Sequence, residues 1–281
     1  MSKHKPHNIP SPGPCQCHPR VGDKRPAAGC IPESILKSVA AKISLSHNSK
    51  GLRAALEKHF DVEPEQEYSF LMKLPLSQAE KGKIAAEYLR PMAPEAWKKD
   101  PDMWLDSVNI TEVMNQYEEA YPKFEFMGPF PIDFASKDPY QQGGEPRCLM
   151  NEVCEFRVQK AIESGTESVG IVYNLDPHDK GGSHWVATFL DIKHHRCLYF
   201  DSYGMKPPAQ IAKFMKWLTT QDPSLTLSYN SKRIQFKNTE CGMYSMYFII
   251  RMLMGDEFVS FSRASPKDDI MLGVRKCLFS W

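Results

Sequence analysis

The sequence has no excess of charge of either sign, no long apolar run, no leader pattern and no low-complexity stretch. Its 35 Lys and Arg against 34 Asp and Glu leave a formal net charge of +1, so no global field draws the chain to nucleic acid or to an anionic membrane. The longest apolar stretch runs from Met243 through Ile250 to Met254 and contains Arg251. It falls short of the roughly 18 residues that a membrane span requires, so a buried helix is expected there and no membrane partner. No basic region followed by an apolar one opens the chain. The expectation is therefore an intracellular protein whose eight cysteines are free thiols. With 42% hydrophobic and 25% charged residues over 281 positions, collagen-like and wholly disordered classes are excluded, and one large domain, or one with an appendage, is expected.

Three regions are distinguished. Residues 1–30 hold six of the 22 prolines and five basic residues against one acid, the composition of a disordered basic tail and the one place left for nucleic-acid contact. Within it Cys15, Cys17, His18 and Cys30 hint at zinc. Cys-x-Cys-His lacks the spacing of common zinc sites, however, and incidental thiols on a solvated tail are the alternative. Residues 31–100 read as a helical extension: Ile35, Val39 and Ile43 recur at helical spacing, Leu52 to Phe60 forms a second segment, and Ser77-x-x-Glu80 is a capping box.

Residues 101–281 change character. Ile110, Val113, Met114 and Tyr117 form one helical stripe, and a Pro- and Gly-rich loop (128–146) leads to a helix near 149–162. Ser168–Leu175, His184–Ile192, Cys197–Phe200 and Leu225–Ser228 read as strands, the last with a candidate partner at Arg233–Phe236. Pro207-Pro208 start a helix, and two more close the chain, one after Cys241 and one from Pro266 capped by Ser265. Helices, then a central sheet, then helices make an α+β fold.

The polar run Asp191–Arg196 suits a hairpin turn, so the strands on either side run antiparallel. That places His184 and Asp201 at the same end of the hairpin, because their midpoint falls within the turn. A carboxylate beside an imidazole fixes its tautomer and stabilises the imidazolium. Cys241 opens the apolar helix, where the positive end of the helix dipole and a neighbouring protonated histidine favour thiolate. Glu240 opposes this unless it faces solvent or a cap. Gly242 leaves room for a substrate carbonyl, and the Gln235 side-chain amide, six positions before Cys241, is a candidate oxyanion donor. Taken singly, such residues are more often structural; it is their coincidence that points to nucleophilic catalysis.

Trp104-Leu105, Gly182-Ser-His184-Trp185, Tyr199-Phe-Asp201-Ser, Gln235 and Glu240-Cys241-Gly242 together resemble the adenovirus-protease and ubiquitin-like-protein-specific (SUMO) cysteine protease clan. Asn174-Leu-Asp-Pro-His178 and Phe200-Asp-Ser-Tyr-Gly204 look most like its members in large nucleocytoplasmic DNA viruses, the African swine fever virus type among them. The resemblance implies a papain-like, adenain-type core with a mixed sheet flanked by helices. Cys241 would be the nucleophile, His184 the general base and acid, Asp201 its orienter and Gln235 the oxyanion donor, with no metal or cofactor. It further implies that Trp104 and Trp185 form a tunnel admitting a Gly-Gly strand. The substrate is then a Gly-Gly-X site in a viral polyprotein, cut during virion maturation in host cytoplasm and virion, or a ubiquitin-like conjugate. An acetyltransferase effector and an inactive binding module are the remaining alternatives. Asp106-Ser107 departs from the Asn-Asp of cellular members, which weakens any carry-over of their ubiquitin-like contacts.

Overall fold

The computed structural model describes residues 10–22, 29–45, 51–64, 66–264 and 266–280. Much of the proline-rich tail and the Ser265 cap lie outside these. The chain divides into two compact units, one of Met1–Pro101 with Leu272–Trp281 and the other of Asp102–Met271. The last ten residues belong with the N-terminal unit.

The first unit is built from four short helices, α1 (Glu33–Lys42), α2 (Leu52–Phe60), α3 (Glu67–Lys73) and α4 (Gln78–Tyr88). The Ser77–Glu80 capping box opens α4, with both reciprocal hydrogen bonds made. Residues 10–22 are not a loose tail, because Cys17 and His18 are buried and Cys17 bridges to Leu89. Six of the eight cysteines are paired rather than free, as Cys15–Cys277, Cys17–Cys30 and Cys148–Cys154. Pairing depends on which thiols the fold brings together, which composition and spacing do not show. The zinc reading fails for the same reason. All three of its cysteine sulfurs are in disulfides, and the His18 Nδ1 accepts hydrogen bonds from Arg20.

The second unit carries α5 (Ser107–Ala120), β1 (Phe124–Pro131), α6 (Asn151–Glu155), α7 (Val158–Glu163), β2 (Ser168–Asn174), β3 (Trp185–Asp191), β4 (Arg196–Phe200), α8 (Ala209–Gln221), β5 (Thr226–Tyr229), α9 (Cys241–Leu253) and α10 (Phe258–Ala264). The last helix, α11 (Asp268–Leu278), begins here and ends in the first unit. The sheet order is β1-β2-β3-β4-β5, with β2-β3-β4 antiparallel and both outer pairs parallel. This is the expected mixed α+β sheet. β2 and β3 are buried along nearly their whole length, as strands covered on both faces must be. Val169, Ile171 and Tyr173 join the cluster that includes Ile211, Phe214, Met215 and Leu218 of α8, and the alternate residues face α9. Gly170 permits that close approach, since a Cβ there would lie 2.7 Å from Ile249.

β1 was not legible in the sequence: Gly128 and Pro129 interrupt it, and its register with β2 shifts between Met127 and Phe130. The expected 149–162 helix is divided into α6 and α7, and Arg233–Phe236 is loop rather than strand. Among the described residues no helix is long and apolar enough to cross a membrane.

Candidate active site

His184 immediately precedes β3, Asp201 immediately follows β4, and the two strands are antiparallel neighbours. Both residues therefore stand at one end of the sheet. The observed register pairs Ala187 with Phe200, two residues away from the register expected from the hairpin midpoint, which set His184 opposite Asp201. Extended by three residues, it sets Tyr203 opposite His184, with Asp201 on the diagonal. The His184 Nε2 lies 2.7 Å from the Asp201 Oδ1, and both residues are buried. With Nε2 so engaged, Nδ1 is the ring nitrogen left for Cys241, whose thiol bears on the imidazole charge.

Burial alone would push the His184 imidazole down. The Asp201 carboxylate and then Cys241 more than offset it, and the ring is pushed up to about 9. The imidazolium is the favoured form at neutral pH, as nucleophilic thiol chemistry requires. Asp201 is itself held: its main-chain N–H donates to the Asn230 Oδ1 at 2.9 Å, and the Asn230 amide returns a bond to the Asp201 carbonyl at 2.7 Å.

Cys241 is the first residue of α9, where main-chain N–H groups have no intrahelical acceptor and the helix dipole is positive. Glu240 is buried, contrary to the expected solvent-facing or capping position, and its side chain makes no N-cap bond. Gln235 is fully buried, and its main-chain N–H donates to the Ser202 carbonyl at 3.0 Å. The Ser202 hydroxyl donates to the Gln235 Oε1 at 2.6 Å, which fixes the amide so that Oε1 is consumed. The Gln235 Nε2 is buried and has no hydrogen-bond partner. A buried, unsatisfied donor is costly unless it serves a ligand. Asp268 steadies the following turn, accepting from the main-chain N–H groups of Phe236 and Lys237, each at 2.9 Å.

The two tryptophans differ. The Trp185 Nε1 donates to the Leu105 carbonyl at 3.0 Å and the ring is buried, whereas Trp104 is 43% exposed. Both line one groove of about 480 Å³ together with Phe130, Asn174, His178 and Gly182. The space at Gly242 serves the protein itself, since a Cβ there would lie 3.2 Å from Trp185 and 3.3 Å from Leu105. It lets the groove wall close onto the first turn of α9. Asp106 caps α5, accepting from the Asn109 N–H at 2.8 Å, so that departure from the cellular pattern has a structural role.

Sequence reasoning missed Ser202, Tyr203 and Asn230 as supports, although the first two lie in the Phe-Asp-Ser-Tyr-Gly run. It also missed a second histidine–carboxylate pair on the groove wall, in which the His178 Nδ1 lies 2.6 Å from the Asp133 Oδ2. Cys197, the other free thiol among the described residues, lies in β4, and burial pushes it up to about 12.

A protein of Acanthamoeba polyphaga mimivirus named as a thiol protease is 34% identical over 165 residues, or 55% of this chain and 49% of that one. A protein of African swine fever virus, named as a cysteine protease in one isolate and as a SUMO-1 cysteine protease in another, is 29% identical over 184 residues. That match covers 62% of this chain and 67% of the relative. The chain thus spans about half the length of the mimivirus relative. The crystal structure of a protease of African swine fever virus has the same fold, with a TM-score of 0.65 at 20% identity over 96% of this chain and 97% of that one. The model of the family described as YopJ serine/threonine acetyltransferase matches residues 87–267, more than half of the sequence. The chain belongs to that family, and it carries the fold of the viral cysteine proteases.

Proposed function

We propose that the protein is a thiol endopeptidase that cuts after Gly-Gly in viral structural precursors, acting in virion maturation in host cytoplasm and virion. The observation that carries this reading is the Gln235 amide. Its oxygen is tied down by Ser202 and its nitrogen is buried without a partner, six positions before Cys241. In the first step the Cys241 sulfur attacks the scissile carbonyl carbon, and the new oxyanion is met by the Gln235 Nε2 and the first-turn N–H groups of α9. His184 gives its proton to the leaving amine as the C–N bond breaks, and Asp201 holds the ring in place. Water, deprotonated by His184, then attacks the thioester, releasing the carboxylate and restoring the thiol.

The Gly-Gly preference rests on Trp104 and Trp185 lining one groove, since a slot between two indoles excludes side chains by overlap. Two other readings have specific support. The name SUMO-1 cysteine protease given to a relative favours release of a ubiquitin-like modifier from its conjugate. The family description favours acetyl transfer, in which Cys241 would take the acetyl group from acetyl-coenzyme A as the same kind of thioester.

The test sets the purified protein against three substrates: a peptide library, a ubiquitin-like conjugate and acetyl-coenzyme A with an acceptor peptide. Gly-Gly peptides outrunning Gly-Leu and Leu-Leu peptides by about tenfold or more would support the endopeptidase reading. A large apolar residue preferred immediately before the cut, or turnover of acetyl-coenzyme A alone, would overturn it.

A further inference from the structure

One side of the site is occupied by a stack of three side chains. The Tyr203 ring lies parallel to the His184 imidazole, 5° apart in plane and 4.4 Å between centroids. The Arg233 guanidinium lies over the same phenol ring, 4.9 Å from its centroid. Because the imidazole occupies one face, the guanidinium covers the other. The Arg233 Nε donates to the Gln235 carbonyl at 2.8 Å, and Phe236 flanks the guanidinium at 5.3 Å. At the other end, the Tyr203 main-chain N–H donates to the Asp201 Oδ1 at 2.8 Å, the oxygen that holds the His184 Nε2.

Base, orienter and oxyanion donor are therefore tied to one assembly. Asp201, Ser202 and Tyr203 are consecutive, and each secures a different part: the imidazole edge, the Gln235 amide and the imidazole face. Arg233 closes the circuit from the imidazole's stacking partner to the main chain of the oxyanion donor.

We propose that Tyr203 and Arg233 are positioning residues. The phenol ring, clamped by Arg233, fixes the plane of His184 and stabilises its protonated form through its π face, while Arg233 ties that ring to the Gln235 main chain. An aromatic face attracts a cation, and a desolvated face does so more strongly. The groups that bear on the His184 charge are Asp201 and Cys241; Arg233 and Asp268 bear on the Tyr203 hydroxyl. The two cations share one ring from opposite faces, so the gain for the imidazolium is modest and the larger part of the effect is geometric.

This inference rests on Cys241 being the nucleophile, and the experiment is built so that the two can fail separately. Tyr203→Phe keeps the face, and Tyr203→Leu keeps apolar bulk while removing it. Two readouts are taken on the full chain, peptide turnover and the rate at which iodoacetate alkylates Cys241 as a function of pH. Iodoacetate is anionic, so its rate falls as the imidazolium loses its proton. We expect Tyr203→Phe to stay within about twofold of wild type, and Tyr203→Leu to lose roughly tenfold in kcat with KM nearly unchanged. The basic limb of the Tyr203→Leu alkylation profile should move down by about half a pH unit. Arg233→Met should lose about threefold or more in kcat, with Arg233→Lys recovering part of it, and the Tyr203→Leu/Arg233→Met pair should lose less than the product. Tyr203→Leu matching Tyr203→Phe in kcat and in alkylation profile would overturn the proposal. A shifted alkylation limb in a chain that cuts no peptide would instead uphold the stack and reject the peptidase reading.

Discussion

Residues 102–271 bury two strands, β2 and β3, between helices on both faces, and α9 adds eleven buried residues. The other unit has α1 to α4, of 7 to 11 residues, and the end of α11, with no strand among its described residues. Helices that short are marginal alone and depend on tertiary packing. Two of the three disulfides lie in this unit, one of them joining Cys15 to Cys277 across 262 residues. Its interior also carries the Arg53–Glu67 ion pair, 3.0 Å apart with both side chains buried, and the Arg53 guanidinium lies 3.8 Å above the Phe70 ring. Such a pair adds little net stability but is costly to break. Both units have an apolar core, which in the helical unit includes Leu36, Val39, Leu56, Phe70 and Leu71; the difference teaches that short helices add covalent cross-links to that burial, whereas the sheet and α9 rely far more on burial.

The largest effects should come from changes that touch chemistry and leave the framework intact. Gln235→Ala should lower kcat by about 10²–10³-fold, as loss of one oxyanion donor does, with little change in the urea midpoint of residues 102–271. Ser202→Ala leaves the amide but frees it to turn, and should cost about tenfold. Steady-state kinetics beside urea unfolding would separate the two. A Gln235→Ala variant with full activity would remove Gln235 from the site.

The converse change breaks a staple. Cys15→Ser with Cys277→Ser should destabilise the helical unit by about 2–4 kcal/mol, read as an earlier first unfolding transition, with kcat/KM within about twofold of wild type. Equal loss of activity would show that the catalytic framework depends on the helical unit.

The smallest effect is on pH. His184 is raised from its ordinary 6.5 to about 9, so the stability it lends the fold is complete below pH 6.5 and fades as pH rises through about 9. The stability gap between wild type and His184→Gln should shrink over that interval. Asp201→Asn should move the basic limb of activity to lower pH, because the carboxylate is the largest influence raising His184. An unmoved limb would mean that Asp201 orients the ring without stabilising its charge.

Much of the catalytic unit could be read from the sequence because its signals are local. The His184–Asp201 hairpin is set by a short polar turn, and α8 and α9 by continuous helical patterns. The register was off by two residues, which keeps each side chain on its face but sets Tyr203, and not Asp201, opposite His184. β1 escaped because it pairs in parallel with a strand some forty residues away, which leaves no hairpin signature, and Gly128-Pro129 breaks its alternation. The disulfides escaped because no spacing rule links Cys15 to Cys277. Ser202 was visible as a residue, but its role depends on meeting Gln235, 33 positions later, which only the folded chain reveals.

The central claim is that Cys241, and not the other free thiol Cys197, is the nucleophile. A peptide ending in Gly-Gly and carrying a thiol-reactive warhead tests it, with labelled residues located by peptide mass spectrometry in wild type, Cys241→Ala and His184→Ala. The account predicts one label per chain, on Cys241, lost in Cys241→Ala and strongly slowed in His184→Ala, with Cys197 unlabelled while the fold is intact. Labelling of Cys197, or undiminished labelling and turnover in Cys241→Ala, would contradict it.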